Sequence, residues 1–83
     1  MKLSAEMSLY PLQEEYEKPI LEFIEDLRSN PELSVKVNTM STQVFGDFDV
    51  VMGELKKAMK KAFGQELARI LVVKFINSDL NPE

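Results

Sequence analysis

From Lys2 to Tyr10 apolar and polar residues alternate without a break, with Leu3, Ala5, Met7 and Leu9 on one side and Ser4, Glu6, Ser8 and Tyr10 on the other. A period of two is that of a strand with one buried face. Pro11, which has no N–H to donate, is predicted to end the ladder. The period then changes. Glu14 to Glu17 place negative charge where a helix N-terminus favours it, and Pro19 suits the first turn. Ile20, Phe23, Ile24 and Leu27 recur at spacings of three and four, and the stripe runs out at Ser29-Asn30-Pro31.

Alternation returns in Val35, Val37 and Thr39, which predict a second strand, and after a tight connection near Met40-Ser41 the segment Thr42 to Gly46 reads as a third. Asp47 is a good N-cap for a second helix. In it Val51, Leu55, Ala58, Met59 and Ala62 form the stripe, Lys56, Lys57, Lys60 and Lys61 face water, and Gly64 follows the end. Ala68 to Ile76 is a more uniformly apolar fourth strand, and Asn77 to Glu83 reads as a polar tail. Strand, helix, strand, strand, helix, strand is the split βαβ order. With right-handed crossovers it predicts one α+β domain over residues 1–83, a ferredoxin-like βαββαβ fold. Its four-stranded antiparallel sheet carries both helices on one face and leaves the other face bare.

A chain of 83 residues buries only roughly 60 to 65% of the surface its unfolded form exposes, so its stability alone is modest. Small domains compensate with disulfides, a structural metal or self-association. Without cysteine or histidine no disulfide can form and a zinc site is disfavoured, which leaves association. Fourteen acidic residues against ten basic ones give a net charge of −4, which repels a phosphate backbone and argues against nucleic-acid binding. No apolar run approaches the roughly 18 residues of a membrane span, and Glu6 interrupts any signal-peptide core near the start. A cytoplasmic protein with no membrane partner is the expectation.

Parity sends Ser4, Glu6, Ser8 and Tyr10 to the middle of the open face, joined by Lys36, Asn38, Ser41, Gln43 and Phe45. In the fourth strand it points Leu71, Val73 and Phe75 inward and Ile70, Val72, Lys74 and Ile76 outward. Exposed aliphatic side chains on a bare sheet suggest a face covered by another copy of the chain. Catalytic motifs are missing: there is no G-x-S-x-G elbow, P-loop or Rossmann fingerprint, and the common general base and soft nucleophile are both absent. A binding protein rather than an enzyme is expected, with no cofactor and no metal. Glu6, expected mid-strand, has two readings, as a partner for Lys36 or Lys74 or as a ligand contact. Tyr10 and Phe45 fit either a stacking platform or a subunit interface.

Met7-Ser8-Leu9-Tyr10-Pro11-Leu12, the hairpin Met40-Ser41-Thr42-Gln43-Val44-Phe45-Gly46-Asp47 and the ending Phe75-Ile76-Asn77-Ser78 resemble the S-L-Y-P and S-T-x-V-x-G signatures of YkoF-like thiamine and hydroxymethylpyrimidine-binding proteins. The resemblance runs nearly end to end. It implies a ferredoxin-like fold, assembly into dimers or tetramers through the sheets, and binding of the aminopyrimidine part of thiamine in salvage or transport. Hydroxyls, an amide and a carboxylate can match that ring's donors and acceptors. The implied contacts are Glu6, Ser8, Ser41, Thr42 and Asn77, with Tyr10 or Phe45 stacking on a ring or meeting the cationic thiazolium. Thr42 belongs among them only if the hairpin is irregular, because parity turns it toward the helices. Two other readings stay open: a self-associating structural or regulatory domain without a ligand, and a small enzyme using Glu6 as base.

Overall fold

The computed structural model describes residues 1–82. Six elements follow one another: β1 (Lys2–Pro11), α1 (Glu17–Arg28), β2 (Ser34–Val37), β3 (Thr42–Asp47), α2 (Phe48–Phe63) and β4 (Arg69–Ile76). The strands form one sheet in the order β2-β3-β1-β4, every neighbouring pair antiparallel. Both helices pack over the face that carries Leu3, Ala5, Met7 and Leu9. This is the ferredoxin-like α+β arrangement that the succession of periods predicts. Among the described residues no helix is long and apolar enough to cross a membrane.

β1 includes Pro11 instead of stopping before it. Leu12 N–H donates to the Ala68 carbonyl at 3.1 Å, and successive N–H groups alternate in direction along a strand, so the Pro11 nitrogen points away from the β4 side. β3 has already ended there, with Thr42 opposite Met7, and no ladder bond is lost. α1 begins at Glu17 with Pro19 in its first turn, where the missing N–H costs nothing. Glu14 and Glu15 precede the helix, so only Glu17 opposes its dipole. Asp47 takes the N-cap position of α2, yet its carboxylate makes no capping bond and pairs with Lys2 Nζ at 3.6 Å. Gly64 closes α2 at φ −75° with its N–H on the Lys60 and Lys61 carbonyls, an arrangement that does not call on left-handed backbone.

The core joins the β1 stripe to Val44 of β3, Phe23 and Leu27 of α1, and Val51, Leu55, Ala58 and Ala62 of α2, with Leu33 closing it from the loop before β2. Burying each of the larger side chains among them stabilises the fold by roughly 1.5–3 kcal/mol. β2 is shorter than expected. It ends at Val37, so Asn38 and Thr39 fall in the connection, which Asn38 N–H closes on the Ser41 carbonyl at 2.8 Å. In β4 Leu71 and Val73 pack against the core as parity predicts. Phe75, expected inward, is 46% exposed: it stands on the helix side of an edge strand, opposite the small Ala5.

The other face departs from expectation at one end. The tail after β4 does not leave the domain but turns back over the sheet. Ser4 Oγ donates to the Ser78 carbonyl at 2.7 Å and accepts from Leu80 N–H at 2.9 Å. Ser4 is only 4% exposed and Phe45 only 6%, although both stand on the side opposite the helices. The face is therefore bare over part of its length rather than throughout.

Candidate functional site

Residues that oppose each other on neighbouring antiparallel strands share a face, so the open side resolves into rows. Ser34, Phe45, Ser4 and Ile76 make one row, and Lys36, Gln43, Glu6 and Lys74 make the next. Beyond them Ser8 stands beside Val72, and Tyr10 beside Ile70. Polar character concentrates in the second row and apolar character at the far end, where Tyr10, Ile70 and Val72 are each about half exposed.

Glu6 is the centre of the polar row. Its Oε1 receives Lys74 Nζ at 2.8 Å, and its Oε2 receives the Ser41 hydroxyl at 2.9 Å. The hydrogen bond from Lys74 holds the Glu6 carboxyl below its usual range, helped by the Ser41 hydroxyl, by the ammonium charge and, less, by Gln43. Reciprocally, the hydrogen bond to Glu6 and then its charge push Lys74 up. A mid-strand carboxylate on an exposed face could repel its neighbours; here the cross-strand register supplies a cation and the hairpin supplies a hydroxyl.

Two clefts flank this carboxylate. The larger, about 560 Å³, lies between the sheet and the returning tail, lined by Ser4, Glu6, Gln43, Phe45, Lys74 and Ile76 below and by Leu80 and Pro82 of the tail. The smaller, about 230 Å³, is lined by Glu6, Ser8, Met40, Ser41, Val72 and Lys74. Ser8 Oγ already donates to the Met40 carbonyl at 3.1 Å, which ties the hairpin to β1.

The residues anticipated from sequence are thus only partly gathered. Glu6 borders both clefts, Phe45 the larger one, and Ser8 and Ser41 the smaller. Tyr10 stands further along the face beside Ile70. Thr42 opposes Met7 and Val37 on the helix side and is buried: the hairpin is regular, so parity excludes it from this surface. Asn77 is exposed just past β4 and lines neither cleft. Lys74, Gln43 and the tail residues lie outside the contact set that the motifs imply. Parity puts the first two on this face, and the signal for the tail is Leu80 and Pro82 standing in an otherwise polar ending.

A still larger concavity, about 790 Å³, runs along the flank of α1 between Glu14 and Asp26 and reaches Lys61. Four of its six carboxylates lie on α1 and two precede it, and its Lys61 is already bound to Asp26 at 3.1 Å. The clefts beside Glu6 instead join a carboxylate, an ammonium and a hydroxyl held together on one sheet face, and make the better candidate.

No protein-family model and no curated protein matches the sequence. Solved structures do. A protein from Streptococcus pneumoniae shares 26% identity over 96% of this chain and 90% of its own length, with a TM-score of 0.85. A hypothetical protein from Methanocaldococcus jannascii shares 24% over 96% of this chain and 84% of its own, with a TM-score of 0.81. A proposed thiamine biosynthesis/salvage protein from Thermotoga maritima shares 17% over 99% of this chain and 91% of its own, with a TM-score of 0.76. At these identities the likeness is one of fold, and it spans at least 96% of this chain and 84% of each of the three.

Proposed function

We propose that this chain is a non-catalytic, cytoplasmic binding protein for thiamine or its hydroxymethylpyrimidine half, acting as a homo-oligomer in thiamine salvage or transport. The observation that carries the reading is the adjoining pair Glu6 and Lys74, an acceptor and a donor 2.8 Å apart on an open sheet face. An aminopyrimidine presents the complement, an exocyclic amine beside a ring nitrogen, so one flat ring can donate to Glu6 while accepting from Lys74. The end-to-end motif resemblance and the shared fold of a protein named for thiamine salvage agree with that chemistry. A carboxylate held below its usual range is a poor general base near neutral pH, which favours binding over catalysis. The half-exposed Tyr10, Ile70 and Val72 give a second copy an apolar surface to cover.

Isothermal calorimetry with thiamine and with hydroxymethylpyrimidine at millimolar concentration tests the reading. Binding that Ser41→Ala and Glu6→Gln both weaken is the expected result; no heat, together with no rise in melting temperature, excludes it. One observation favours the alternative of a ligand-free structural or regulatory domain: the hydroxyls of Ser8 and Ser41 and the Glu6 carboxylate already satisfy one another and the hairpin. Intact assembly without binding of either compound would select that reading.

A further inference from the structure

The tail does more than cover the sheet. Between Ser78 and Pro82 it contributes two apolar side chains, Leu80 and Pro82, to a cleft whose other residues include Phe45, Ile76, Glu6 and Lys74. A segment ending in Asn-Pro-Glu and rich in polar residues has little reason to lie on a sheet for its own burial, since Leu80 itself stays 56% exposed. What fixes it is Ser4, whose single hydroxyl both donates to the Ser78 carbonyl and accepts from the Leu80 amide. Two hydrogen bonds to one hydroxyl form a local latch, set one residue pair along β1 from Glu6.

Resting on the thiamine-type reading of this surface, we infer that the flat ring enters the cleft under this strap rather than the smaller cleft beside Ser8, and that Leu80 is a specificity wall for it. Size separates the two. Small-molecule sites span roughly 300–1,000 Å³; the strapped cleft, at about 560 Å³, lies within that range, and the cleft beside Ser8, at about 230 Å³, lies below it. Composition separates them as well. The strapped cleft joins an aromatic ring and aliphatic carbon to the Glu6–Lys74 pair and the Gln43 amide, which suits a planar heterocycle with apolar faces and a polar edge. The ligand class is therefore an aminated six-membered heteroaromatic, held by its edge on β1 and β4 and by its face against the chain's own C-terminal segment. Ser4 acts as a positioning residue: its hydroxyl, engaged in both bonds to the tail, holds the wall.

The test uses the full chain and hydroxymethylpyrimidine. Leu80→Ala leaves the fold intact because the side chain is more than half exposed. It is expected to weaken binding about tenfold, the loss of one well-placed apolar contact. Ser4→Ala is expected to weaken binding and also to speed hydrogen exchange at the Leu80 amide in the absence of ligand, which a mere loss of contact area would not do. Leu21→Ala, the same truncation at an exposed leucine on α1, serves as control and should bind as the parent does. Unchanged affinity in both Leu80→Ala and Ser4→Ala, with the parent binding normally, overturns the strap and leaves the proposed function standing. Absence of binding by the parent chain overturns both.

Discussion

Replacing Ile70 with lysine should dissociate the proposed homo-oligomer without unfolding the subunit. Ile70 is 49% exposed, stands beside Tyr10 on the open face and lines neither cleft. Full burial of an aliphatic side chain is worth roughly 1.5–3 kcal/mol, so covering the exposed half contributes about 1 kcal/mol. In a two-fold contact the residue is used twice, which raises the loss to about 2 kcal/mol, or about thirtyfold in the dissociation constant. Desolvating two introduced ammonium groups adds to that figure, so thirtyfold is a lower bound. Sedimentation equilibrium over a range of protein concentrations measures it directly, and a thermal melt at low concentration reports the subunit alone. The expected result is a species of 9.5 kDa in the variant, at concentrations where the parent is larger, with little change in the melting temperature of the monomer. A parent chain that sediments as a monomer at high concentration, or a variant that associates as tightly as the parent, would refute the view that this face meets a second copy.

Glu6→Gln should remove a pH dependence. Because the folded carboxyl is held below its usual range by Lys74 and Ser41, its contribution is fully present above the unfolded value of about 4.3 and is lost as pH falls through the lower folded value. Urea midpoints of parent and variant should therefore differ most near neutrality and converge in acid; a constant gap down to pH 2.5 would contradict this. Leu27→Ala, at a site only 1% exposed between the helices and the sheet, should cost about 2–5 kcal/mol in urea unfolding. A loss below 1 kcal/mol would mean the core is not organised around the α1 stripe.

The sheet was legible because each strand states its facing residues by parity, and parity needs only one well-defined strand. Leu3, Ala5, Met7 and Leu9 define β1 by themselves, and the register then carries Val44 and Gln43, Val73 and Lys74 to the correct sides. Parity also judges Thr42 correctly: the regular hairpin keeps it beside Met7, away from the ligand contacts among which the motif resemblance counts it. Where residues lie outside ladders, periodicity has nothing to say. Ser41 meets Glu6 through a turn, Leu33 enters the core from a loop, and Asn77 lies past the last strand. The tail is the strongest case. Local polarity reads it as solvated, and its return is held by the Ser4 hydroxyl, 74 residues away in sequence. Ser4 on the open face could have been a ligand contact, a water site or an anchor for backbone, and nothing in its neighbours distinguishes these. The structure decides it: the Ser4 hydroxyl donates to the Ser78 carbonyl and accepts from the Leu80 amide, so it is an anchor for backbone. The same latch that buries Ser4 and Phe45 also determines which half of the face remains for a second copy, namely the half carrying Tyr10, Ile70 and Val72. Glu6 and Lys74 lie on the line between the two, where the proposed ligand would be walled by the chain's own tail on one side and, if the proposed homo-oligomer forms, by a second copy on the other.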